Sequence, residues 1–156
     1  MKVGIIIYSQ TEHTYSAGLE LKDKLSESGV DVTIERIVPV GDVHPGSKNI
    51  KFETIPDIDG FDFLVFGSPV HAFSLAPAMK AYLEQIKSLE NQNVACFVTK
   101  GAPFKWTGGT KAISVMKDIV VSKSGNVVVT SIIVWNKGHD KAVKEMVQKF
   151  VAQINS

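Results

Sequence analysis

A chain of 156 residues is sized for one domain, and 44% hydrophobic with 21% charged residues is the balance of a globular protein. This composition excludes a disordered chain, a collagen-like chain and a disulfide scaffold, and a formal net charge of +1 names no partner. No apolar run approaches the ~20 residues that span a bilayer. The N-terminal MKVGIIIYSQ is too short for a signal peptide, and the single cysteine, Cys96, suits a reducing compartment. The expectation is a cytoplasmic protein with one domain over residues 1–156.

Strand-like and helix-like segments alternate from end to end. Lys2–Tyr8 is a short β-branched run, as a strand buried on both faces should be. Thr14–Ser28 carries Gly18, Leu21 and Leu25 at helical spacing, and Gly29 ends it. Asp31–Ile37 alternates with charges and predicts an edge strand. Pro39–Phe61 holds three glycines and three prolines, so a long helix is not expected there, although its length suits a crossover between parallel strands. Phe63–Gly67 predicts a strand, Ala76–Lys87 a helix, Val94–Thr99 a strand, Gly109–Ser122 a helix and Asn126–Trp135 a strand. Val143, Met146, Val147, Phe150 and Ile154 mark a final amphipathic helix. Five strands alternating with helices imply an α/β fold with a doubly wound parallel sheet. In such sheets ligands bind beyond the carboxyl ends of the strands, so the loops to search begin at Ser9, Gly67, Thr99 and Trp135.

The first loop, Ser9-Gln10-Thr11-Glu12-His13-Thr14, leaves a buried strand and opens a helix. Its hydroxyls and the N–H groups of the helix start can surround a phosphate, with the helix dipole adding attraction for an anion. No Lys or Arg lies in it, so binding would rest on neutral donors. The alternative is an ordinary helix N-cap with spare hydroxyls.

Here the sequence resembles the flavodoxin family, whose phosphate loop reads Ser/Thr-x-Thr-Gly-x-Thr directly after the first strand. Ser9, Thr11 and Thr14 match its hydroxyl positions, while Glu12 replaces the usual glycine. A carboxylate there must point away from a phosphate dianion or repel it. The resemblance covers nearly the whole chain and implies a five-stranded, flavodoxin-like sheet of order 2-1-3-4-5, in the short form without an insertion in the last strand. It implies non-covalent flavin mononucleotide (FMN) as cofactor, with Ser9, Gln10, Thr11, Glu12, His13 and Thr14 around the phosphate. From the second loop it implies Ser68, Pro69, Val70, His71 and Phe73. His71 or Phe73 would lie against the ring; the alternatives are a solvated loop histidine and core packing. From the third loop it implies Thr99, Lys100, Gly101, Ala102, Trp106 and Gly108, with Trp106 the first choice for a stacking ring and Phe104 the second. Backbone groups within Gly67–Val70 or Lys100–Ala102 would meet flavin N5. Electron transfer needs no general acid or base, so no catalytic residue is expected.

Flavodoxin carriers are acidic, and this chain is not. Residues 100–123 sum to +4 and residues 53–62 to −4. The lysines would stabilise a reduced, anionic flavin and attract an anionic partner, whether a redox partner protein or NAD(P)H; the plain alternative is a solvated face. The expected function is therefore electron transfer through FMN. The alternatives are an NAD(P)H-dependent flavin or quinone reductase, and an interaction domain that has lost the cofactor. Receiver domains need acidic residues after the first strand, and small tyrosine phosphatases need Cys-x5-Arg; neither pattern is present, since the sole arginine is Arg36. A serine hydrolase built on Ser9, His139 and Asp140 lacks a nucleophile elbow, and adjacent helical residues point about 100° apart. The four histidines are too scattered for a zinc site, and the basic residues lack the interleaved aromatics of a nucleic-acid binder.

Overall fold

The computed structural model describes residues 1–101 and 108–156. In chain order the elements are β1 (Lys2–Ile7), α1 (His13–Glu27), β2 (Asp31–Arg36), β3 (Val38–Pro39), β4 (Phe52–Thr54), β5 (Phe63–His71), β6 (Ser74–Leu75), α2 (Pro77–Gln85), β7 (Asn93–Lys100), α3 (Gly109–Ser122), β8 (Asn126–Val134) and α4 (His139–Ile154).

The central sheet runs β2-β1-β5-β7-β8, and every neighbouring pair on this path is parallel. These are the five expected long strands in the expected order, with β2 at an edge. The purely parallel, five-stranded description needs one correction: β6 folds back antiparallel on β5, which makes the sheet six-stranded. The crossover from β2 to β5 holds no helix among its residues. Instead β3 and β4 form a separate antiparallel pair, and the Tyr82 hydroxyl on α2 pins the crossover by donating to the Pro56 carbonyl at 2.6 Å.

Strand periodicity divides the core into two layers. Val3, Ile5, Ile7, Phe63, Val65 and Phe97 face one side, where Ala17, Leu21 and Leu25 of α1 meet Val143, Met146 and Phe150 of α4. Ile6, Leu64, Phe66, Cys96 and Val98 face the other, against Met79, Tyr82 and Leu83 of α2 and Ala112, Met116 and Val120 of α3. Burial on both faces explains the near-continuous hydrophobicity of these strands. Cys96 is fully buried, and burial pushes its thiol up to about 12, so it is a core residue with no thiolate to react. No helix among the described residues is long and apolar enough to cross a membrane.

Gly67 sits on β5 facing the layer that holds Ile7 and Phe97. A Cβ there would lie 2.4 Å from the Phe97 ring and 2.7 Å from Ile7 Cδ1. Overpacking a rigid core of this kind costs about 1–3 kcal/mol. Gly67→Ala is therefore expected to lower the unfolding free energy from denaturant titration by that amount without changing the far-ultraviolet spectrum; an unchanged value contradicts the packing described.

Candidate functional site

The parallel sheet delivers the ends of β1, β5, β7 and β8 to one edge, and the segments that follow them touch one another. Thr14, in the first turn of α1, and Thr99, near the end of β7, are both buried, and their hydroxyls share a hydrogen bond of 2.8 Å. This bond ties the first loop to the third. It also engages the Thr14 hydroxyl that the sequence assigns to an anion: the hydroxyl that donates has no proton left for an anion, and the one that accepts keeps its own.

Glu12 immediately precedes α1 with φ 67° and ψ −6°, the left-handed conformation that glycine adopts without cost. The glutamate thus preserves the backbone of the glycine it replaces. Its carboxylate is drawn aside by Arg36, the last residue of β2: Arg36 Nη2 donates to Oε1 at 2.8 Å and Nη1 to Oε2 at 3.3 Å. The same guanidinium donates to the Ser9 carbonyl at 3.3 Å and lies 4.4 Å from the centre of the Tyr15 ring. Arg36 holds the Glu12 carboxyl below the usual carboxylate range, by hydrogen bonding more than by charge alone. The Ser9 hydroxyl accepts the Tyr15 N–H at 3.4 Å, and the Gln10 amide donates to the Val43 carbonyl at 3.2 Å, away from the helix start. Thr11 is exposed.

The second loop departs from expectation. Ser68, Pro69, Val70 and His71 continue β5 instead of leaving it, and Ala72-Phe73 turn the chain back into β6. Both turn residues have positive φ, 45° and 65°. Two-residue hairpin turns of this hand normally use Asn or Gly, so Ala-Phe gives no sequence signal. Phe73 is 59% exposed, which corrects the core-packing alternative. The tip backbone presses on Gly108, where a Cβ would stand 2.2 Å from the Phe73 carbonyl carbon and φ is +100°; only glycine fits. The Ser68 hydroxyl is buried and donates to the Pro69 carbonyl at 3.0 Å.

His71 is not the solvated loop histidine considered above. Its ring meets Tyr8 edge-on at 6.2 Å, and its Nδ1 is buried with no hydrogen-bond partner among the described residues. Burial lowers its pKa and raises that of Tyr8. Beyond it, a cavity of about 660 Å³ lies between residues 45–50, the hairpin and the first turns of α2, with Lys48, Lys80 and Glu84 at its wall.

Sequence reasoning missed two features. One is Arg36, noted only as the sole arginine. The other is a three-ring stack: His13 lies on one face of Trp135 at 4.4 Å and 11°, and His139 on the other at 4.4 Å and 18°. An aromatic residue directly after the last strand, with a histidine at the start of α1 and another at the start of α4, was the available signal. The Trp135 N–H also donates to the Lys100 carbonyl at 2.7 Å, which joins the fourth loop to the third. His139 Nε2 does reach Asp140 Oδ1 at 3.2 Å, contrary to the helical-angle argument, but its ring is committed to Trp135. Gly101 is exposed. Ala102, Phe104 and Trp106 lie outside the described residues.

No protein-family model matches this chain, and no curated protein does. Solved structures do match. A Fusobacterium nucleatum flavodoxin bound to flavin mononucleotide shares 19% identity over 99% of this chain and 96% of its own, with a TM-score of 0.67. A Lactobacillus acidophilus flavoprotein in complex with FMN shares 18% identity over 92% and 97%, with a TM-score of 0.67. A flavodoxin from the domain Archaea shares 12% identity over the full length of both chains, with a TM-score of 0.70. The chain has the flavodoxin-like fold.

Two measurements test the site as drawn. Thr14→Val and Thr99→Val each leave a buried hydroxyl without its partner and are expected to cost about 1–3 kcal/mol. The double variant is expected to cost clearly less than the sum, and strict additivity refutes the bond. For His71, a native pKa below the ordinary 6.5 means that the unfolded chain binds the proton more readily. Its share of stability is complete above 6.5 and falls as the pH drops from there toward the lowered native value. His71→Asn should flatten that portion of the stability curve in denaturant titrations across the same pH range.

Proposed function

We propose that this protein is an FMN-binding, flavodoxin-like redox protein that passes electrons through a non-covalent flavin. The observation that carries the reading is the contact of the four strand-end segments at one sheet edge, with a helix N-terminus and neutral donors at its base. Flavodoxins and FMN flavoproteins among the structural neighbours support it.

The donors present suit a flavin phosphate. Ser9, Thr11 and Thr14 offer hydroxyls, and the first turn of α1 presents N–H groups that have no acceptor within the helix. Glu12 keeps a glycine-like backbone with its charge matched by Arg36. This geometry favours a loop that still accepts a phosphate over a domain that has lost its cofactor. The hairpin at Ser68–Phe73 and the strand end at Thr99–Gly101 would flank the ring, with exposed Phe73 available to it. The bound flavin supplies the redox chemistry, and the protein's part is to position it and exclude water. Positive charge on α3, from Lys111 and Lys117, would favour an anionic partner protein.

The test begins with an absorption spectrum of purified protein mixed with FMN and passed through gel filtration. A retained yellow chromophore at one equivalent per chain is expected; a colourless protein, with no heat on titration at micromolar concentrations, overturns the proposal. Rapid mixing of the loaded protein with NADH or NADPH then separates the two redox roles. A carrier keeps its flavin absorbance, whereas a reductase bleaches it.

A further inference from the structure

The first loop contains no Lys or Arg of its own, yet one guanidinium from a different strand reaches two of its positions and a residue in the first turn of α1. Arg36 touches the Ser9 carbonyl, both oxygens of Glu12 and the face of the Tyr15 ring. These residues bracket the segment in which the loop becomes a helix. Glu12 stands directly before α1 in the left-handed conformation, and its carboxylate is held by Arg36.

Resting on the FMN reading above, we infer that Arg36 is a positioning residue for the flavin phosphate. It holds Glu12 as a neutral pair, and by doing so it sets the site's preference for phosphorylated over unphosphorylated flavin. The charge argument is direct. With the pair intact, the loop presents hydroxyls, amide N–H groups and no net charge to a dianion. Without Arg36, a full negative charge stands in the same short loop as the phosphate, and Coulomb repulsion over a few ångströms opposes binding. The bidentate fork and the aromatic face fix the guanidinium in a way an ammonium group does not reproduce. A cavity of about 300 Å³, walled by Tyr8, Ser9, Gln10 and Arg36, lies on the crossover side of the pair.

Calorimetric titration with FMN and with riboflavin, on wild type, Arg36→Gln, Arg36→Lys, Glu12→Gln and the Glu12→Gln/Arg36→Gln double variant, tests this. Arg36→Gln is expected to weaken FMN binding by about tenfold or more while leaving riboflavin within about twofold, because only FMN carries the charge that Glu12 opposes. Arg36→Lys should fall between wild type and Arg36→Gln. The double variant should regain most of the FMN affinity lost by Arg36→Gln, since removing the glutamate removes what Arg36 offsets. The unphosphorylated flavin separates charge compensation from folding, because a merely structural arginine would weaken both ligands alike. Equal losses for the two flavins, or a double variant no better than Arg36→Gln, overturn the inference and leave the FMN reading standing. A wild type that takes up no FMN while Glu12→Gln does also overturns it, because Arg36 would then fail to offset the glutamate. If no variant binds FMN, both fall together.

Discussion

The organising constraint is that β1 is hydrogen-bonded on both edges to parallel strands and packed on both faces. Parallel neighbours cannot be joined by tight turns, so each connection must cross a face of the sheet and return to the same end. Helices on both faces supply most of these crossings. The other end of the sheet is then a row of strand termini whose following segments have nowhere to go but alongside one another. The Thr14–Thr99 bond, the Phe73–Gly108 contact and the Trp135–Lys100 bond are consequences of that crowding. A small flat ligand needs such an edge, because several short segments can approach it from different directions while the sheet holds them still.

The fold was largely legible because its signals are long and redundant. β-branched runs at Lys2–Tyr8, Phe63–Gly67 and Val94–Thr99 are what strands buried on both faces require, and charged alternation over Asp31–Ile37 identified β2 as an edge. What escaped was local. β5 runs four residues past its apolar stretch because Ser68 and Pro69 stay paired with Val98 and Thr99 of β7 while Val70 and His71 pair with a returning strand, and that return depends on two left-handed residues of unsuitable type. Hairpins closed by Ala-Phe are decided by tertiary contact, here against Gly108, and leave no mark on a propensity scale. The short β3–β4 pair is equally invisible among the prolines and glycines of the crossover.

The site was legible in outline, loop by loop, and misread in its electrostatics. A single glutamate in place of a glycine looks damaging when the neighbouring sequence is all that can be seen. Its compensating partner lies at residue 36, brought beside the loop only because β2 and β1 run parallel in register, with Ile7 opposite Arg36. The same holds for His71. The sequence offers it as a flavin contact or a solvated loop residue, but extension of β5 sets its half-buried ring edge-on to Tyr8. Side chains whose meaning depends on a neighbour from another strand are the ones a linear pattern cannot assign.

The sealed position of Cys96 in the middle of β7 has a practical side. The chain's sole sulfhydryl is buried in its neutral form on the α2 and α3 side of the sheet, so native protein offers no competing thiol to maleimides or intermolecular disulfide exchange. Any cysteine introduced on the surface becomes a unique attachment point for a spin label, a dye or an electrode linker. A domain that can be tethered at one chosen spot, without first deleting a native residue, suits immobilisation in a defined orientation.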